Sequence, residues 1–184
     1  MNEVELIRGQ LAVERQHATD VSRALLATVT NGGEATASVE AFRQASVDYL
    51  VWILTRFEER EQVFRDLLHN RLAPDDSRRR AVEAALALPG TSREALAKLE
   101  TALGSRAGAE TPARWSDFIR FFSGMWSTRR DELDRLFELQ AKVTDWRAVS
   151  GIDADSIFDE RSRYARVRAT LPAGIEMPSA TSHV

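Results

Sequence analysis

Apolar residues recur every three or four positions along most of the chain, which is the spacing of one face of an α-helix. The first such segment runs from Asn2 to Thr30 and is followed by the helix-ending run Asn31–Gly33. The second runs from Thr36 to His69 and stops before a proline-aspartate turn. The pattern therefore predicts two long amphipathic helices in the first half of the chain.

The second half of the chain predicts another long helix and a pair of short ones. Thr111-Pro112 is a typical N-cap and first-turn pair, and the helix that it opens is expected to end near Ser150. Two shorter helices, Arg78–Leu88 and Ser92–Leu103, precede it and are separated by Pro89-Gly90. We therefore predict an all-α fold, an up-down four-helix-type bundle with three long helices and a broken helical hairpin.

The helical pattern weakens after residue 150. A short helix is expected over Asp153–Arg166, and the stretch Leu171–Val184, with two prolines and small polar residues, is typical of a mobile C-terminal tail. A length of 184 residues suits one domain of ordinary size. We predict a helical bundle domain over residues 1–150 and a C-terminal extension over residues 151–184.

Composition and charge narrow the classes of partner. The chain has 25 basic and 28 acidic residues, interspersed along its length, which disfavours nucleic acid or an anionic membrane as partner. It has no cysteine, which excludes disulfides, thiol nucleophiles and thiolate metal sites. The N-terminus lacks the basic start and apolar run of a secretion signal, and no stretch is apolar enough to span a membrane. We expect a cytoplasmic protein.

Several polar residues interrupt the apolar faces of the long helices. With a rise of about 1.5 Å per residue, an up-down bundle places them at a common height. A buried Glu14 carboxylate would need a cation, and Arg56, Arg60 and Arg129 are the candidates on the neighbouring helices. Two interpretations stay open: a closed structural ion pair, or a polar, aromatic-lined pocket for an anionic or aromatic small ligand. The ligand-binding candidates are Glu14, His17, Tyr49, Arg56, Trp126 and Arg129.

We predict a binding or interaction protein. The partner would be a small molecule or another protein. Trp52, Trp115 and Trp146 are candidates for exposed aromatic surface, which makes a homodimer a further expectation. The alternative is a small-molecule enzyme that uses Glu14 or His17 as acid or base, with an arginine stabilising negative charge. The sequence has no glycine-rich phosphate loop, nucleophile elbow or His-Glu-x-x-His helix to specify a reaction.

A metal site is the remaining hypothesis. Glu14 and His17 form one Glu-x-x-His pair, whereas a carboxylate-bridged di-iron site needs two such pairs and two further glutamates. The segments Leu11–His17, Phe57–Phe64 and Trp126–Asp131 resemble the ligand-bearing helices of hemerythrin-like bundles.

This resemblance implies the bundle fold, with the di-iron centre lost or rebuilt. Phe57 and Trp126 stand where that family has imidazoles, and only His17, Glu61 and Asp131 match its usual ligands. We expect no cofactor, with di-iron or manganese as the alternative. Such a metal would be held by Glu14, His17, Glu61 and Asp131.

Overall fold

The structure is a computed structural model that describes residues 2–30, 36–80, 83, 92–104, 113–122, 124 and 142–177. Within these ranges the chain forms helices and turns, and no described residue lies in a β-strand. The helices are α1 (Glu3–Thr30), α2 (Ala37–Arg71), α3 (Ser92–Gly104), α4 (residues 113–122), α5 (Val143–Ser150) and α6 (Ala154–Ala169). The all-α class is confirmed, while the up-down four-helix arrangement stays a prediction.

Helices α1 and α2 form the central pair. The backbone N–H of Glu5 donates to Asn2 Oδ1 at 2.9 Å, and the N–H of Asn2 donates back to Glu5 Oε2 at 2.8 Å, so a capping box opens α1. Thr36 Oγ1 accepts from the N–H of Val39 at the start of α2. Helix α2 packs against α1, α3, α5 and α6 and is thus the central element of the described structure.

The core has two parts. The larger part lies among α1, α2, α3, α4 and α6, and its largest fully buried apolar side chains include Phe42, Tyr49, Phe118 and Phe122. The smaller part joins α5 to the outer ends of α1 and α2 through Ile7, Phe64, Leu72 and Trp146. Burying one such side chain stabilises the fold by about 1.5–3 kcal/mol. None of the described helices combines the length and the apolar composition that crossing a bilayer requires.

The long helix predicted to run from Thr111 to Ser150 is wrong in its last part. Lys142 is extended, with φ −86° and ψ 166°, and a separate helix, α5, begins at Val143. The N–H of Lys142 donates to Asp145 Oδ2 at 2.7 Å, so the third residue of α5 caps a new start. Gly151, with φ 54°, ends α5 as the sequence predicts.

The C-terminal segment packs against the rest of the chain. Asp153 Oδ1 accepts from the N–H of Ser156 at 2.7 Å and opens α6, which runs to Ala169 and is longer than expected. Val167 and Met177 belong to the larger core, so the free tail predicted from Leu171 onward is wrong for residues 171–177. Residues 178–184 lie outside the described ones. The expected division at residues 150 and 151 falls between α5 and α6, which both pack on α1 and α2.

The expected broken hairpin is described only in part. Residues 77–80 and 83 are helical, and α3 ends one residue beyond the predicted Ser92–Leu103. Residues 81–82 and 84–91, including Pro89-Gly90, lie outside the described residues. The hairpin's second helix therefore packs on α2 as α3, and the break itself stays a prediction.

Candidate functional site

A buried ion pair joins α1 to α2. Glu14 is 0% exposed, and Arg60 Nη1 donates to its Oε2 at 2.5 Å. Arg60 Nε donates to the carbonyl oxygen of Ser150 at 2.5 Å, and the guanidinium lies 5.6 Å from the ring centre of Phe57. Arg60 is therefore the cation that balances Glu14, and it also fixes the end of α5 against α2.

Arg56 lies one helical turn away from Arg60 and has different contacts. Its Nη2 donates to the carbonyl oxygen of Gly151 at 3.2 Å, so it holds the turn between α5 and α6. Its guanidinium lies 5.0 Å from the ring centre of Trp52, and Arg163 of α6 lies at the same distance from that ring. Arg56 thus stands at the edge of the site, with a cation-π contact.

A second buried carboxylate joins three helices. Glu160 of α6 is 0% exposed, and its Oε1 contacts His17 Nδ1 of α1 at 2.9 Å. The same oxygen accepts the hydroxyl hydrogen of Tyr49 on α2 at 2.8 Å. An ionised carboxylate only accepts hydrogen bonds, so an ionised Glu160 requires the hydrogen of the first contact to lie on the imidazole. We call Glu14, His17, Tyr49, Arg60 and Glu160 the polar layer.

The imidazole of His17 is held on its face as well as at its edge. The ring of Tyr164 on α6 stacks on it, with 3.6 Å between ring centres and planes within 5°. Tyr164 also lies 6.1 Å from the ring of Tyr49 in a tilted arrangement. His17 is only 7% exposed, and both side chains that hold its ring, Glu160 and Tyr164, lie on α6.

The phenol of Tyr49 is strongly perturbed by its surroundings. Burial raises the pKa of Tyr49 well above its ordinary value of about 10, and the neighbouring charge and hydrogen bond of Glu160 raise it further. The charge of Glu14 acts in the same direction, which places both carboxylates near the Tyr49 hydroxyl. Tyr49 therefore stays protonated and remains a hydrogen-bond donor.

This perturbation predicts a loss of stability in alkali. The unfolded chain ionises Tyr49 at about pH 10, whereas the folded chain keeps it protonated to a higher pH. The free energy of unfolding should therefore fall as the pH rises above about 10. Urea unfolding at a series of pH values measures this slope, and Tyr49→Phe should reduce it more than Tyr164→Phe does. An unchanged slope in Tyr49→Phe would contradict the prediction.

Both buried carboxylates keep one oxygen without a partner. Glu14 Oε1 and Glu160 Oε2 are buried and receive no hydrogen bond from the part of the chain that the structure describes. Buried donors in the same state include Gln10 Nε2 on α1, Arg60 Nη2, Arg56 Nε and the Tyr164 hydroxyl. Unpaired buried polar atoms are rare in folded proteins, because each one forgoes the hydrogen bonds of water. The layer thus offers two free acceptors, and Arg60 and the adjacent Gln10 offer free donors beside them.

The structure brings together some of the predicted site residues. Glu14, His17 and Tyr49 lie in the polar layer and Arg56 at its edge, whereas Trp126 and Arg129 lie outside the described residues. Glu160 and Tyr164 were missed. Their spacing with Val167 puts the three on one helix face, a signal that the polar composition of the segment conceals.

Three of the four residues expected for a metal, Glu14, His17 and Glu61, lie in the described part of the chain. Glu61 Oε1 accepts from Ser92 Oγ of α3 at 2.7 Å, whereas His17 Nδ1 contacts Glu160 Oε1. Asp131 lies outside the described residues. Among those that are described, no group of three or more histidine, aspartate or glutamate side chains could hold a metal ion.

The fold and site together define a helical protein with a buried polar layer at the junction of three helices. No family model, curated protein or solved structure matches the chain. The geometry of the polar layer is therefore the basis for inferring a function.

Proposed function

We propose that this is a helical ligand-binding protein that holds a small molecule at the polar layer between α1, α2 and α6. The observation that supports the proposal is the state of Glu14 and Glu160. Both are fully buried on neighbouring elements, and each keeps one carboxylate oxygen without a partner among the described residues. A polar layer that served only to join helices would be more stable if these two oxygens also accepted hydrogen bonds.

The unpaired atoms cost the fold a considerable part of its stability. Leaving one buried polar atom unpaired costs about 1–3 kcal/mol, whereas a whole domain is stable by about 5–15 kcal/mol. A ligand that supplies the missing partners recovers that free energy on binding. The aromatic rings of Tyr49 and Tyr164 supply apolar walls beside the polar atoms, as small-molecule sites require.

Ligand-dependent thermal stability tests the proposal. We expect at least one class among small amines, small carboxylates and neutral aromatic compounds to raise the Tm. The free energy of unfolding should rise with ligand concentration and be higher by about 2.7 kcal/mol at one hundred times Kd. Glu14→Gln and Glu160→Gln should lose this response. Glu58→Gln is the matched control, because Glu58 pairs with the exposed Arg93 at 2.7 Å on another face of α2. The proposal is wrong if none of these compounds stabilises the chain in a way that depends on Glu14 and Glu160.

An acid-base enzyme is the second candidate. The contact between Glu160 and His17 Nδ1, with Tyr164 stacked on the ring, supports it, because a general base is typically held by a carboxylate in one tautomer. Under this hypothesis a compound that binds at the layer would be converted, and Glu14→Gln or His17→Asn would abolish turnover. A bound compound recovered unchanged would favour simple binding.

The remaining expectations stay predictions. They are a cytoplasmic location, a protein partner or homodimer, and a relationship to hemerythrin-like bundles with the metal centre lost or rebuilt. The exposure expected of Trp115 and Trp146 as a dimer surface is wrong, because they are only 7% and 5% exposed. Elemental analysis of protein purified without chelators tests the metal hypothesis. Iron or manganese near one atom per chain would favour it over the binding of an organic ligand.

A further inference from the structure

The charges of the polar layer favour one kind of ligand. Glu14 and Glu160 carry two negative charges, and Arg60 balances one of them through its contact with Glu14. An added anion would meet two buried carboxylates at short range in a medium of low dielectric constant. A cation would instead balance the second carboxylate, since the His17 contact can be made by a neutral imidazole that donates from Nδ1.

The unpaired atoms add a second, independent constraint. Glu14 Oε1 and Glu160 Oε2 only accept hydrogen bonds, so their partner must supply N–H or O–H groups. Gln10 Nε2 and Arg60 Nη2 only donate, so the same partner must also supply an acceptor oxygen. Gln10 lies one helical turn before Glu14 on α1, and Arg60 contacts Glu14, so both donors lie beside one of the acceptors.

From this arrangement we infer that the ligand is a small primary amine with a neighbouring uncharged oxygen acceptor, as in an amino amide or an amino alcohol. Its ammonium group bonds Glu14 Oε1 and Glu160 Oε2, and its oxygen accepts from Gln10 Nε2 and Arg60 Nη2. Tyr49 and Tyr164 lie beside the ammonium group and add a cation-π attraction. This inference rests on the proposed function and specifies its ligand class.

A set of matched compounds tests the inference on the unaltered chain. Glycinamide and ethanolamine carry both groups, ethylammonium carries only the cation, and acetamide and acetate carry only the acceptor. Calorimetric titration should give glycinamide or ethanolamine an affinity about tenfold or more above that of ethylammonium. Their oxygen accepts a hydrogen bond from the charged Arg60 guanidinium, and ethylammonium has no such oxygen. Acetamide and acetate should not bind measurably.

Two variants assign the groups. Glu160→Gln keeps an acceptor oxygen for His17 and Tyr49 but removes the charge, and it should weaken every amine by about 10- to 100-fold. Gln10→Leu should weaken glycinamide and leave ethylammonium unchanged, so that the difference between the two compounds narrows to the part that Arg60 Nη2 supplies. Glu58→Gln, whose carboxylate lies outside the layer, should change none of these affinities.

The outcomes separate the inference from the proposed function. If acetate or a neutral aromatic compound binds in a manner that depends on Glu14 and Glu160 while the amines do not, the binding site stands and the amine class is wrong. If no compound of any charge depends on these glutamates, both are wrong. Equal affinities of glycinamide and ethylammonium for the unaltered chain would overturn the requirement for an acceptor oxygen.

Discussion

Replacing Arg60 by methionine is expected to lower the free energy of unfolding by about 3–5 kcal/mol, because Glu14 is left buried without its cation. The side chains of Arg60 and Glu14 are 11% and 0% exposed, so water screens the pair very little. The variant also removes the hydrogen bond to the carbonyl oxygen of Ser150, which holds the end of α5. Urea unfolding followed by circular dichroism measures the loss.

A double variant distinguishes the unpaired charge from lost packing. Replacing Glu14 by leucine together with Arg60→Met exchanges the ion pair for apolar side chains, and most of the lost stability should return. Arg93→Met is the control, because Arg93 pairs with Glu58 at the surface and should change stability by less than about 1 kcal/mol. If Arg60→Met alone loses no more stability than Arg93→Met, Glu14 does not depend on Arg60.

The elements of the first half of the chain were predictable because their signals are local. Asn2 caps α1 and the apolar spacing of α1 and α2 follows from residues a few positions apart. The prediction of a continuous helix up to Ser150 was wrong because of another local signal. Asp145 caps a new helix start through the N–H of Lys142, and this local signal prevails over an apolar spacing that continues across the break.

The partners in the polar layer were only partly predictable. The need of Glu14 for a cation follows from its place on an apolar face, but Arg56 and Arg60 lie on the same face of α2, one turn apart. A turn is about 5.4 Å, and an arginine side chain reaches at least that far, so sequence alone cannot choose between them. The choice is made by the turn at Ser150 and Gly151, which gives each guanidinium its own carbonyl oxygen.

Glu160 was missed because its contacts are remote in the sequence. It meets His17, 143 positions away, and Tyr49, 111 positions away. The register of such a contact is set by how α6 packs on α1 and α2, and spacing within α6 contains no information about it. The same packing explains why α6, although rich in charged residues, packs on the core. The inward face of α6 carries one carboxylate, Glu160, which contacts His17 and Tyr49 there.

Replacing Glu160 by leucine should have the second large effect, a loss of about 2–6 kcal/mol in the free energy of unfolding. The change leaves His17 Nδ1 and the Tyr49 hydroxyl buried without an acceptor, and each unpaired donor costs about 1–3 kcal/mol. Hydrogen exchange should also show faster opening of α6, which these bonds join to α1 and α2. Asp159→Leu is the control on the same helix, because Asp159 pairs with Arg163 near the surface and should have a much smaller effect. Equal losses in the two variants would mean that the His17 and Tyr49 contacts do not anchor α6.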